Sequence, residues 1–136
     1  MTYLRFDAAS LPGQVGKEGP NGTRLSDGRS GHISYGPYFH GDPGIYVAGF
    51  YMRRVGAAVD RNFELDVLAG GTQVLGRRSV SHADLFDDLP TLVYMTFEIL
   101  EPTDRIEIRL YAEADVPVEI QSLVIFTVES RSWSGL

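Results

Sequence analysis

The chain of 136 residues contains no cysteine. Disulfide bonds, thiolate catalysis and cysteine-ligated zinc or iron–sulfur sites are therefore excluded. The chain also has few histidines, and His32, His40 and His82 lack the close paired spacing of a metal-binding motif. We accordingly predict no metal site from the sequence pattern.

Positive charge is scarce, with 12 Lys and Arg against 18 Asp and Glu and a net charge of −6. A chain of this sign is repelled by phosphate backbones and by anionic lipid, so we expect neither nucleic acid nor a membrane surface as a partner. No apolar run approaches the ~20 residues of a membrane-spanning helix, and the first residues lack the apolar segment of a signal peptide. We expect a cytoplasmic protein or a module of a longer exported chain.

Helical periodicity is absent as well, whereas alternating apolar runs separated by Gly and Pro fill the chain. Such runs, bounded by turn residues, are typical of an all-β sandwich or barrel. The pattern predicts about eight strands, near residues 2–6, 31–35, 45–55, 63–67, 73–80, 91–100, 105–111 and 116–128, with a short extra strand near 22–26. We predict one antiparallel β-sandwich domain over residues 1–136.

Two strands carry the clearest orientation signals. Residues 45–55 are apolar on both faces at their start, which indicates a central strand. Residues 105–111 alternate strictly, so Ile106, Ile108 and Leu110 should be buried and the intervening Arg105, Glu107 and Arg109 should lie outside. We expect those outer charges to pair with a neighbouring strand.

Residues 36–44 are predicted to form a turn, and the residues around it combine flat aromatic rings with polar groups. The candidates for binding there are Tyr35, Tyr38, His40 and Asp42. Aromatic faces stack on the C–H groups of a sugar, and polar groups bind its hydroxyls. The alternative is that the aromatic residues belong to the core or pack the turn.

A second polar group, Arg78, His82 and Asp84, follows the strand at 73–80 and would lie at one end of the sandwich. Its alternative is an ordinary solvated strand end. No catalytic residue is predicted. The run Gly28-Arg-Ser-Gly31 is not a nucleophile elbow, and no facing pair of carboxylates can be singled out.

Several runs resemble the jelly-roll carbohydrate-binding modules of the galactose-binding-like superfamily. They are residues 6–13, His32-Ile-Ser-Tyr35, Pro43-Gly-Ile-Tyr-Val-Ala-Gly-Phe-Tyr51, Phe63-Glu-Leu-Asp-Val67, Tyr94-Met-Thr-Phe97, and the strands at 105–111 and 123–128. Tyr-Gly-Pro-Tyr before Pro-Gly-x-Tyr also resembles accessory sandwiches of bacterial polysaccharide-synthesis enzymes. The resemblance implies a jelly roll that binds sugar.

The same resemblance implies a structural calcium ion and a Trp sugar platform. Asp7 matches the first acidic position of the calcium site, but the corresponding region near the end, residues 121–124, has no Asp. The platform loop, residues 84–90, carries Phe86 and no Trp. We therefore expect no cofactor.

The sequence hypothesis is a non-catalytic, lectin-like module whose partner is carbohydrate. The alternative is a structural or protein-interaction sandwich of a polysaccharide-processing protein that binds no sugar. A saccharide-acting enzyme is a third reading. Homo-oligomerisation stays open, and Trp133 in the polar tail could dock on the sandwich or mediate self-association.

Overall fold

A computed structural model describes residues 2–128, which fold into strands and three short 3₁₀ turns. The predicted tail with Trp133 lies outside the described residues. The strands are β1 (Tyr3–Asp7), β2 (Lys17–Glu18), β3 (Arg24–Leu25), β4 (Gly31–Ser34), β5 (Pro37–Gly41), β6 (Gly44–Arg54), β7 (Asn62–Ala69), β8 (Gln73–Ser81), β9 (Thr91–Ile99), β10 (Thr103–Ala112) and β11 (Val118–Val128). The 3₁₀ turns span Ala8–Ser10, Pro20–Gly22 and His82–Asp84.

The strands form two antiparallel sheets, as the sequence predicts. Sheet one has the order β2-β3-β11-β6-β9, with β1 also paired to β11. Sheet two has the order β4-β10-β7-β8, with β5 also paired to β10. The predicted central strand, β6, lies between β11 and β9.

The core fills the space between the sheets and follows the alternation of the sequence. Ile106, Ile108 and Leu110 of β10 are fully buried. The inward residues of β6, β7 and β9 are also buried, and they are Tyr46, Ala48, Phe50, Met52, Phe63, Leu65, Val67, Val93, Met95, Phe97 and Ile99. Burial of this continuous apolar layer is the main force that holds the two sheets together.

One side of β10 is shared by two short strands. β5 pairs with the first half of β10 and β4 pairs with its second half. The link between them, Tyr35–Gly36, lies beside the middle of β10, where the Ile108 N–H donates to the Gly36 carbonyl at 2.8 Å. The sheet edge is therefore interrupted next to Glu107 and Arg109.

The predicted turn over residues 36–44 is wrong in its first part, because residues 37–41 form β5. Pro at the first position, Gly before the strand and at its last position, and two register shifts against β10 hide the strand from propensity rules. A strand with these features is tolerated at a sheet edge, where fewer backbone groups need partners. The two-residue β2 was also missed, so the count of about eight strands was too low.

No helix within residues 2–128 has the length and apolar character needed to span a bilayer.

Two glycines mark places where strands approach closely. A Cβ on Gly49 of β6 would lie 2.6 Å from the backbone oxygen of Val93. A Cβ on Gly76 of β8 would lie 2.5 Å from Cε of Met95, the flexible end of a side chain.

We expect Gly49→Ala to lower the free energy of unfolding by about 1–3 kcal/mol, because backbone must move. Gly76→Ala should lower it less, because Met95 can change rotamer. Urea unfolding of both variants checks this, and an equal or larger loss for Gly76→Ala would contradict it.

Candidate functional site

A shallow pocket of about 340 Å³ opens on the outer face of sheet two, beside the interruption between β4 and β5. Its lining residues come from β4, the β4–β5 link, β5, β10 and the segment before β2. They are Gln14, His32, Tyr35, Tyr38, Glu107 and Arg109, and we call this site the Tyr38 pocket.

One wall is supplied by the long segment between β1 and β4, which runs alongside β4. The N–H groups of Gln14 and Val15 both donate to the His32 carbonyl, at 2.9 and 3.2 Å. The Tyr35 N–H donates to the Pro12 carbonyl at 3.0 Å. The Gln14 side chain is fixed in turn, because its Oε1 accepts from the His32 N–H at 3.0 Å. The irregular part of this segment, residues 11–16, thus places an amide at the pocket.

The charged part of the pocket comes from the outer face of β10. Glu107 is only 6% exposed although its position in the alternation points it away from the core. Arg109 donates two hydrogen bonds to Asp66 of β7, from Nε to Oδ1 at 2.8 Å and from Nη2 to Oδ2 at 2.6 Å. Of the three outer charges of β10, Arg109 thus has the expected cross-strand partner.

Tyr38 forms the exposed aromatic wall. Its side chain is 46% exposed, and its backbone has φ of +66°, which is unusual for a bulky residue. Partial burial, followed by a hydrogen bond with the Glu107 carboxylate, raises the pKa of the Tyr38 phenol. The phenol therefore stays protonated at neutral pH. A strained backbone that presents an aromatic ring beside a carboxylate is a feature often found at binding sites.

His32 completes the pocket as a neutral ring. Burial, and then the positive charge of Arg109, lower its pKa. Its ring also packs edge-on against Tyr111, with 5.3 Å between centroids. A neutral imidazole offers one donor and one acceptor to a ligand.

The structure separates the predicted binding residues into several places. Tyr35 and Tyr38 share the Tyr38 pocket, but His40 and Asp42 do not line it. The His40 ring lies between two carboxylates, with Nδ1 2.6 Å from Asp104 Oδ1 and Nε2 3.2 Å from Asp42 Oδ1. These two hydrogen bonds, that to Asp104 first, raise the pKa of His40.

Arg78 lies in a different depression, where the edge strands β8 and β9 of the two sheets meet. Its Nη1 donates to the Tyr94 carbonyl, and its guanidinium carbon lies 5.7 Å from the centroid of the Tyr94 ring. The arginine thus packs over one face of a tyrosine ring that is still 48% exposed.

His82 is fully buried and satisfied within the protein. Its Nδ1 accepts from the Val59 N–H at 3.1 Å, and its Nε2 donates to the Pro117 carbonyl at 2.8 Å. These hydrogen bonds tie the loop before β7 to the residue that precedes β11. His82 is therefore a core residue and not a ligand contact. Asp84 is exposed on the following 3₁₀ turn and lies apart from the Tyr38 pocket.

Four pocket residues were not among the predicted binding residues. The alternation of β10 did place Glu107 and Arg109 on the outer face, so a signal for them existed. His32 had been weighed only as a metal ligand. Gln14 belongs to an irregular segment, and nothing in its local sequence indicates where it lies.

The residues around Asp7 do not form a calcium donor set. Asp7 lies opposite Ser122 of β11, which supports matching it to that region, but its carboxylate is bound to Arg5 at 3.1 Å. The side chains of this pair, one carboxylate and one hydroxyl, supply fewer oxygen atoms than the six to eight ligands that calcium takes. Within residues 2–128, no group of three His, Cys, Asp or Glu side chains is placed to hold a metal ion.

No protein-family model matches this chain, and no curated protein sequence matches it. Solved structures do match. They include the C-terminal CBM6 of LamC, a marine laminarinase from Zobellia galactanivorans (17% identity, TM-score 0.59, covering 93% of this chain and 100% of that one). The carbohydrate binding module CBM6cm-2 from Cellvibrio mixtus lichenase 5A, in complex with cellotriose, matches at 11% identity and TM-score 0.65, covering 95% and 100%. The CBM35 from Cellvibrio japonicus Abf62 matches at 9% identity and TM-score 0.59, covering 94% and 95%. The chain therefore has the jelly-roll fold of these modules, as the sequence resemblance implies.

We call His40, Asp42 and Asp104 the His40 cluster, and we expect its contribution to the stability of the fold to depend on pH. Because the folded state raises the pKa of His40, the cluster stabilises the protein fully below the unfolded pKa of about 6.5 and loses this effect as pH rises through the folded value. We expect the melting temperature of the wild type to exceed that of His40→Gln by more near pH ~5.5 than near pH ~9. Asp104→Asn should reduce this pH dependence. A gap that stays constant with pH would contradict the role of the cluster.

Proposed function

We propose that this chain, which has the fold of carbohydrate-binding modules, is a non-catalytic module that binds saccharide at the Tyr38 pocket. The observation that carries the proposal is the composition of that pocket. A half-exposed tyrosine ring stands beside a nearly buried carboxylate, with an amide, a neutral imidazole and a guanidinium around them.

Such a set meets the two requirements of sugar recognition. An aromatic face packs against the C–H groups of a pyranose ring, and the polar groups around it bind the hydroxyls. The volume of about 340 Å³ lies at the small end of ligand pockets, which suits one or two sugar rings of a longer chain. One structural neighbour was solved with cellotriose, which makes a short neutral glucan a sensible first ligand.

The depression at Arg78 is the competing location and is the less suitable one. It is larger, at about 450 Å³, and it includes the exposed ring of Tyr94. However, the guanidinium of Arg78 already packs over that ring and donates to the backbone below it. A sugar that stacked on the same face of the ring would have to displace the guanidinium.

A hydrolytic role is not supported by the pocket. Glycoside cleavage in its usual form needs two carboxylates that flank the bond to be broken. Glu107 is the one carboxylate among the lining residues, and the nearby Asp66 is held by both hydrogen bonds from Arg109. The proposed role is therefore binding alone, with no cofactor.

The alternative of a protein-interaction domain draws on the outer face of sheet one. Tyr3, Tyr51 and Tyr94 are exposed there at 63, 37 and 48%. Such a face suits contact with another protein or a second copy of the chain. This alternative predicts association without saccharide binding, which separates it from the Tyr38 pocket hypothesis.

Removal of the Tyr38 ring tests the proposed function. We expect Tyr38→Gly to weaken oligosaccharide binding about tenfold or more, because the stacking surface is lost. Glycine accepts the positive φ at this position without strain, so the thermal stability should change little. Isothermal titration calorimetry with oligosaccharides that bind the wild type measures the first effect, and thermal unfolding measures the second.

The matched control is Tyr94→Ala, which removes an exposed tyrosine from the competing depression. It should leave the affinity for saccharide unchanged. If Tyr94→Ala abolished binding while Tyr38→Gly did not, the site would lie at the β8–β9 edge. If the wild type bound nothing on an array of neutral and acidic oligosaccharides, the proposed function would be wrong.

A further inference from the structure

Glu107 occupies an unusual position for an acidic residue. It lies on the outer face of its sheet, opposite Leu68 of β7, yet only 6% of its surface is exposed. Acidic side chains are rarely buried to this degree unless a partner compensates the lost hydration. The burial of Glu107 therefore needs a structural or functional explanation.

Arg109, the cation that lines the pocket, attracts Glu107 through its charge but directs its hydrogen bonds elsewhere. Arg109 directs Nε and Nη2 to Asp66, whose side chain is only 12% exposed. Arg105, the other basic residue on this face of β10, is exposed and does not line the pocket. Besides partial burial, the Glu107 carboxylate is one of the causes that raise the pKa of the Tyr38 phenol, so this neighbour stays uncharged. The pocket thus keeps a carboxylate that can accept further hydrogen bonds.

The polar groups of the pocket divide into donors and acceptors. A carboxylate accepts through two oxygens and donates nothing. The Gln14 amide already uses Oε1 to accept from the His32 N–H, so its NH₂ group is left as a donor. Two adjacent hydroxyls of a pyranose match the two oxygens of a carboxylate in spacing and in polarity, because each hydroxyl can donate.

We propose that Glu107 is the specificity-determining residue of the Tyr38 pocket. Its carboxylate accepts hydrogen bonds from a pair of neighbouring sugar hydroxyls. Glu107 thereby selects neutral saccharides over uronic acids. This inference rests on the proposed function, since it assumes that saccharide binds at this pocket. It adds the class of sugar and the group that distinguishes it.

The discrimination follows from charge and from hydrogen-bond polarity. A uronate carboxylate at Glu107 would place an acceptor against an acceptor, with no proton between them. Two negative charges would also meet in a partly dehydrated site, where their repulsion is stronger than in water. A site built to receive hydroxyl donors rejects a group that cannot donate.

The test uses an array of neutral oligosaccharides, among them cellotriose and laminaritriose, together with counterparts in which the primary hydroxymethyl groups are oxidised to carboxylates. Calorimetry then measures the wild type and Glu107→Gln on each matched pair that binds. The wild type should bind the neutral member about tenfold or more tightly than the oxidised one. Glu107→Gln should bind the neutral member about tenfold more weakly and show a smaller preference.

The control is Glu64→Gln, which removes an exposed negative charge from β7 on the same face but outside the pocket. It should leave affinity and preference unchanged. Thermal unfolding confirms that each variant is folded. If Glu107→Gln failed to fold, Glu107→Asp would replace it and should weaken neutral binding by shortening the acceptor.

Each outcome bears on the inference. Equal or tighter binding of the oxidised sugars, full affinity in Glu107→Gln, or the same loss of preference in Glu64→Gln would overturn it while leaving the proposed function standing. Absence of binding by the wild type across the whole array would overturn the proposed function and this inference with it.

Discussion

The shared edge of β10 is the constraint on which the candidate site depends. This strand is long enough to pair on one side with β7 along its length and on the other with two short strands in succession. Tyr35–Gly36 links β4 to β5 beside the middle of β10. The sheet edge is therefore interrupted next to Glu107 and Arg109. Ile106, Ile108 and Leu110 of β10 are fully buried, so the pocket is built on a strand that is anchored in the core.

The pocket combines rigid and irregular parts. Glu107 and Arg109 project from a regular strand, and Arg109 is fixed by a bidentate pair with Asp66 that is well shielded from water. Tyr38 has a positive φ on a short edge strand, and Gln14 belongs to an irregular segment that hydrogen bonds hold against β4. A regular strand that carries the charged groups, with less regular segments that supply the walls, is a common arrangement for binding sites.

Much of the fold could be predicted from the sequence, because inward residues such as Phe63 and Leu110 alternate with polar ones at a period of two. β5 could not be predicted, because Gly36, Pro37 and Gly41 are residue types typical of turns. Only the pairing with β10 makes this segment a strand. For the site, local composition predicted Tyr35 and Tyr38, and the two residues do line one pocket. His82 was misassigned because local sequence does not reveal burial, and Gln14 was missed because it reaches the pocket only through tertiary contacts.

The central claim is that saccharide binds beside β10 and not at the meeting point of β8 and β9. A ¹H–¹⁵N NMR titration of the protein with a neutral oligosaccharide that binds it tests this claim directly. The largest changes in amide shift should fall on Gln14, His32, Gly36 and Glu107, the residues at and beside the interruption in the sheet edge. Largest changes at Gly76, Arg78 and Tyr94, with none along β10, would contradict it.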